Sequence, residues 1–356
     1  MMASSSKLRI AVIGGGHLGR IHAKIAATNP VCELIAVADP SAESRSLVES
    51  QLQLATTEDY QSLLGKIDAA IVATPTFLHH QVGKWCLGHG IHAFLEKPIA
   101  STMREASDLV QCADKHRLSL QVGHVERFNP VWQPCLPAIE NQSIRYIEAA
   151  REGTYTGRST DIGIVMDLMI HDLDLVLSAL DSPLSHVSAY GWSVLGEHED
   201  FAVANLRFDS GAIASLRASR ISPNPRRSMQ VYTEESLFEL DFATGTLRET
   251  FPTAEVAERS KQADSLPPDQ RAKVKDNLFS EWLNQSEFKA PSCNAIQMEQ
   301  NEFFESILSN APISVSGQAA ARALDVACQI LDCIQRSQPA RSIIPSASRF
   351  ARPKAA

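Results

Sequence analysis

The stretch Gly14-Gly15-Gly16-His17-Leu18-Gly19 constrains this chain more than any other. It follows an apolar run at 8–13 (LRIAVI) that reads as a buried strand, and it opens a helical pattern from about Gly16 to Thr28. In that setting G-x-G-x-x-G has a mechanical reading. The first glycine permits a tight turn, the second lets a ligand approach the backbone, and the third lets helix pack on strand. Free N–H groups and the helix dipole then favour an anion. A second strand, 34–38 (LIAVA), ends in Asp39 about twenty residues past Gly19, where an acid is expected to grip a ribose. Gly14, Gly16, His17, Leu18, Gly19 and Asp39 are therefore the expected dinucleotide-binding residues. An acid there would repel a 2′-phosphate, so NAD is expected rather than NADP, with Arg45 just beyond softening that preference. The plainer alternative is a glycine-rich turn beside a capping aspartate.

Further strands read at 68–73, 92–96 and 119–123, with helical patterns at 43–53, 58–64, 77–89 and 102–116 between them. Alternation of this kind predicts an α/β Rossmann domain with a doubly wound parallel sheet over about 1–125. After Pro130 the grammar changes. Residues 143–152 read as a strand and 161–180 as one long apolar helix. From 186 to 250 strands alternate with turns, and Asp209-Ser210-Gly211 is a hairpin signal. This predicts an α+β domain with an open antiparallel sheet over 126–356, in which a C-terminal helix at about 317–335 returns to the first domain. Residues 251–294 are polar and poorly periodic, and read as a long excursion with some helix.

Composition narrows the function. A net charge of −8 offers no nucleic-acid surface, and the lone pair Arg226-Arg227 in a proline-rich stretch reads as a solvated loop. The seven cysteines form no CxxC pair and sit mostly in apolar patterns, so neither a metal nor disulfides are expected. No apolar run is long enough to span a bilayer and the first residues lack a secretory pattern, which together imply a cytoplasmic protein.

Two constellations carry candidate chemistry. The fourth strand ends in Glu96-Lys97-Pro98, at the strand end where open α/β sheets bind ligands. Lys97 there is either a reacting-centre cation or an ordinary surface lysine. Asp167 and His171 stand four apart in the apolar helix, so both can face one bound molecule. Histidine titrates near neutrality and can take a hydroxyl proton. A buried structural pair is the alternative.

Taken in order, VIGGGHLGRIH at 12–22, VADP at 37–40, ATPTFLH at 73–79, LEKP at 95–98 and DLMIHDLDL at 167–175 resemble the glucose–fructose oxidoreductase / inositol dehydrogenase (Gfo/Idh/MocA) family. The resemblance spans most of the chain. It implies that Lys97 contacts substrate and positions the nicotinamide, that Asp167 and His171 form the second-domain pair with histidine as proton acceptor, and that Thr74, Pro75, His79 and Glu96 lie beside the cofactor. It also implies a homodimer or homotetramer formed through the antiparallel sheet. Within the family, GHVERFNP at 123–130 and Asp161-Ile162-Gly163 look most like UDP-N-acetylglucosamine 3-dehydrogenases. Many members carry Gly-Gly before the second-domain acid, where this chain has Val165-Met166, so sugar placement departs from the pattern. A diphosphate-linked sugar needs cationic partners, for which Arg127, Arg151 and Arg158 are the candidates, with Asn129 beside them. The expected substrate is thus a sugar or nucleotide sugar. A free-polyol dehydrogenase and a non-catalytic nucleotide-binding module remain as alternatives, and the retained Lys97, Asp167 and His171 argue against the second of these.

Overall fold

A computed structural model describes residues 7–140, 142–157 and 162–337 of the chain. Six short strands form the first sheet: β1 (Leu8–Ile13), β2 (Cys32–Ala38), β3 (Thr56–Thr57), β4 (Ala69–Val72), β5 (His92–Glu96) and β6 (Leu120–Gly123). All pair in parallel in the order β3-β2-β1-β4-β5-β6, the doubly wound arrangement. The crossover helices are α1 (His17–Ala27), α2 (Ala42–Leu52), α3 (Thr76–Gly88) and α4 (Met103–His116). α4 starts at a capping box in which Thr102 and Glu105 satisfy each other's backbone N–H groups. The strands are buried on both faces, which is why they read as continuous apolar runs rather than alternating ones.

The second sheet has eight strands: β7 (Ile144–Thr154), β8 (Leu184–Trp192), β9 (Phe201–Phe208), β10 (Ile213–Ser219), β11 (Ile221–Thr233), β12 (Leu237–Asp241), β13 (Thr246–Pro252) and β14 (Leu283–Lys289). It is mostly antiparallel. The exception is β7 with β10, which run parallel at its centre. One face carries Ile147, Ala149, Leu216, Met229 and Val231 into a core completed by α5 (Trp132–Ile139) and α6 (Ile170–Ala179). The other face is open and exposes Tyr190, Trp192, Ile213 and Tyr232. Residues 251–294, expected as an excursion, hold two one-turn helices, α7 (Ala254–Ala257) and α8 (Pro268–Arg271), and then the edge strand β14.

Two further helices, α9 (Ala295–Ser309) and α10 (Gly317–Ser337), bind the sheets together. α9 lays Phe303 and Phe304 into the first sheet's core beside Phe94, covering the face that α1 shares. α10 buries Ala320 and Leu324 against the opposite face of that sheet, and Ala327, Ile330 and Ile334 in the core of the second. The long helix expected over 161–180 is shorter and broken in pitch. Residues Val165–Met169 form a π turn, and only from Ile170 does α6 continue with ordinary spacing. Buried Glu199 fixes its start, accepting the Val165 N–H at 3.1 Å.

A buried ion network joins the exit of β6 to the second sheet. Arg151 of β7 donates to Glu126 Oε1 and to Asp172 Oδ1, both at 2.7 Å, and all three side chains are nearly sealed from water. Arg127 holds Asp174 through a two-pronged contact at 2.6 and 3.0 Å. Removing one member of a buried network leaves its partners charged and unpaired, at a cost of about 3–5 kcal/mol. Arg151→Met should therefore lower the urea midpoint substantially in a tryptophan-fluorescence titration. Arg145→Met, which breaks only an exposed pair with Glu234, should leave it nearly unchanged. Equal midpoints for the two variants would contradict this account of the network.

Candidate active site

The glycine loop leaves β1 with Gly14 N–H donating to Ala38 O at 2.8 Å. Gly14 has φ +107°, and a Cβ there would stand 2.5 Å from Ala73 O. A Cβ on Gly19 would stand 1.8 Å from Gly14 O, so both positions demand glycine. Gly16 differs: nothing lies within 4 Å of where its Cβ would be, and the backbone there faces open space. The Asp39 carboxylate sits beside the loop, accepting Gly15 N–H at 2.7 Å and Ser41 N–H at 2.8 Å.

Gly14, Gly16, Asp39, Ser44, Thr74 and Leu78 border a cavity of about 630 Å³ with a mainly apolar lining, which Pro75 also touches. Its size, the open backbone at Gly16 and the carboxylate at its rim suit a dinucleotide. The buried Thr74 hydroxyl has no partner among the described residues and is free for one. His17 and Leu18 stand exposed in the first turn of α1, outside this lining. Arg45 is turned to the backbone, donating to the carbonyls of Asp39 and Pro40. The buried His79 ring lies between Pro98 O at 2.8 Å and Thr74 O at 2.9 Å, so it fastens the Thr74 loop to the turn after β5 rather than facing the cavity.

At the end of β5, Lys97 Nζ donates to Asp167 O at 2.8 Å and to Asp167 Oδ1 at 3.0 Å. The pair joins the first sheet to the π turn that carries Asp167. Behind it, Gln300 Nε2 donates to His22 Nδ1 at 2.8 Å. That leaves the opposite ring nitrogen to carry the proton and donate to Glu96 Oε1 at 2.7 Å. Burial pushes the Glu96 carboxyl up, but the His22 hydrogen bond and the nearby Lys97 charge outweigh it and hold the group below the usual range. Glu96 thus stays anionic against Lys97, whose own N–H it accepts at 3.2 Å.

Asp167 and His171 were expected to act as a pair. The structure pairs Asp167 with Lys97 instead, and His171 makes no side-chain hydrogen bond among the described residues. Burial first, then the positive charges of Lys97 and Arg151, push its imidazole well below the ordinary value, so the ring is neutral and able to accept a proton. His124, at the end of β6, meets it edge to face with centroids 6.3 Å apart. His124 is fully buried, and neither of its ring nitrogens has a partner among the described residues.

Three expected substrate contacts are occupied within the protein. Arg127 is held by Asp174 and Arg151 by Glu126 and Asp172, and releasing either would strand buried carboxylates. Asn129 bridges Glu126 Oε2 and the Val131 N–H, fixing the approach to α5. Arg158 lies outside the described residues. His22 and Gln300 were not foreseen. A histidine one turn past Gly19 on a helix face that must be buried was a usable sign, but nothing local marks Gln300.

Known proteins resemble this chain in sequence and fold. A family model described as "Oxidoreductase family, NAD-binding Rossmann fold" matches residues 8–124, and the GFO/IDH/MocA C-terminal domain matches 139–239. The UDP-N-acetylglucosamine 3-dehydrogenase of Acidithiobacillus ferrooxidans is 31% identical over 325 residues, covering 91% of this chain and 96% of that one. Its solved structure superposes with a TM-score of 0.81 at 29% identity, over 93% of this chain and 98% of that one. The scyllo-inositol 2-dehydrogenase (NAD(+)) of Bacillus subtilis is 29% identical, covering 73% of this chain and 80% of that one. The WlbA dehydrogenase from Bordetella pertussis, solved in complex with NADH and UDP-GlcNAcA, shares the fold at a TM-score of 0.75 and 19% identity, over 93% of this chain and 96% of that one.

Proposed function

The chain belongs to the Gfo/Idh/MocA family of NAD-binding oxidoreductases, and from that premise we propose that it oxidises the C3 hydroxyl of UDP-N-acetylglucosamine, or a close UDP-N-acetylhexosamine, with NAD as acceptor. The observation that carries the reading is the Lys97–Asp167 pair beside a neutral, unbonded His171, in a chain whose glycine-loop cavity suits the cofactor. The relative at 31% identity over nearly the whole chain supports the choice of sugar.

In this mechanism Lys97 binds the reacting hydroxyl, and its ammonium stabilises the charge that grows on oxygen as the proton leaves. Asp167 fixes that ammonium through two hydrogen bonds. His171 takes the hydroxyl proton. A nicotinamide, when bound, would supply the acceptor for the hydride leaving the carbon. Gly14, Gly16, Thr74 and Asp39 would hold the cofactor, and the Gln300–His22–Glu96 chain keeps the strand end that carries Lys97 in place. The open face of the eight-stranded sheet, with Tyr190, Trp192, Ile213 and Tyr232 exposed, suits a subunit interface.

A second reading, a free-sugar or inositol dehydrogenase, draws on one observation: Arg127 and Arg151, the arginines first thought to meet a diphosphate, are already paired. Calorimetry in the presence of NAD separates the two. UDP-N-acetylglucosamine should bind and myo-inositol should not, and the reverse result would replace the first reading with the second.

Asp39 should set cofactor choice. NADH is expected to bind more tightly than NADPH by fluorescence titration, and Asp39→Ala should narrow the gap; equal affinities in the unmodified protein would remove this role. His171→Ala should lower kcat by about a hundredfold or more. Because a base must be unprotonated, kcat/KM for oxidation should fall only as pH drops well below the ordinary histidine value of about 6.5. A half-maximal rate near 6.5 would exclude His171, as its surroundings now stand, as that base.

A further inference from the structure

A nucleoside diphosphate arriving at this site needs a cation that is free to leave its present partners, and the buried arginines do not qualify. Arg127, Arg151 and Arg220 each grip a buried carboxylate, Asp174, Asp172 and Asp200 respectively. Arg227 is different: its side chain is exposed and makes no hydrogen bond or ion pair among the described residues. The sequence pattern put it in a solvated loop. The structure places it in β11, just past a register shift between Ile221 and Arg226. Irregularities of this kind re-aim the side chains that follow them.

Register decides which way Arg227 projects. β11 aligns Arg227 with Arg151, Met229 with Ala149, and Val231 with Ile147. Directly paired residues share a face, and the latter four lie in the core beneath α6. Arg227 therefore extends the inner face of the sheet, toward the end where Arg151 meets α6. Arg226 projects to the opposite face, where it donates to Ser228 Oγ and approaches Glu148. The Arg227 charge is felt within the site. After burial and the charges of Lys97, Arg151 and His124, it is the next influence keeping His171 neutral.

We infer that Arg227 binds the diphosphate of a nucleotide-linked sugar, presenting its guanidinium fork to the phosphate oxygens while the sugar reaches Lys97 and His171. This rests on the UDP-sugar reading above. A planar fork suits phosphate better than a point charge, and an exposed, unpaired one engages it without stranding a buried carboxylate.

The test is calorimetric titration of the NADH-loaded protein with UDP and with UDP-N-acetylglucosamine, using the unmodified chain, Arg227→Gln and Arg226→Gln. Arg227→Gln should weaken both ligands at least about tenfold, the scale of a lost charge-assisted contact. Arg226→Gln should change them less than about twofold, and NADH affinity should be unaltered in both variants. Unchanged UDP binding in Arg227→Gln, or an equal loss in Arg226→Gln, overturns the assignment while the UDP-sugar reading stands. If the unmodified protein binds neither UDP ligand, the substrate reading fails and takes the Arg227 assignment with it.

Discussion

The contact between Lys97 and Asp167 ties the end of the first sheet to the helix that packs under the second. Lys97 leaves β5 at the carboxyl end of a parallel sheet, a position where side chains project into a crevice because no strand continues beyond them. Asp167 comes from the start of the helix that lines the second core. The ammonium takes the Asp167 carbonyl oxygen together with the carboxylate. One cation thus fixes the separation of two elements and stays beside the neutral His171. The catalytic proposal depends on that geometry, as does the placement of any sugar between the two residues.

The arginines around the pair differ in how they are held. Arg151 and Arg127 fasten the turn after β6 to β7 and α6, against carboxylates that water does not reach. Their charge is largely neutralised where it sits, so a bound anion would have to displace a buried acid. Arg227 extends the same sheet face but ends in solvent with no partner among the described residues. Sequence alone does not distinguish these roles, because arginine looks the same whether its partner is a distant aspartate or a ligand.

Much of the first sheet was legible because its signals are local. The glycine loop, the apolar strands and Asp39 lie within a few dozen residues of one another, and each carries its own steric or electrostatic reason. Other features depend on tertiary contacts. The return of α9 to the first core rests on Phe303 and Phe304 finding Phe94, about two hundred residues away in sequence. α5 contains Pro134 and Pro137, which argue locally against a helix, yet Trp132, Cys135 and Ile139 bury it. β14 is polar because it is an exposed edge strand, so it lacked the alternation that marks a half-buried one. The proline-rich composition around Pro223 and Pro225 hid the first part of β11, whose register shift accommodates them. At the site, Lys97, Asp167 and His171 were visible as residues, while the pairing of Asp167 with Lys97 rather than His171 joins residues 70 apart in sequence and has no local sign.

In the proposed reaction, hydrogen bound to C3 of the sugar leaves for the nicotinamide while the Lys97–His171 pair manages the hydroxyl proton. Supplying UDP-N-acetylglucosamine with deuterium at C3, together with unlabelled NAD, tests it directly by mass spectrometry of the reduced cofactor. The deuterium should be recovered in the reduced cofactor, and turnover should slow relative to the unlabelled sugar when chemistry limits the rate. Reduced cofactor formed without deuterium, with the label still on the sugar ring, would contradict it.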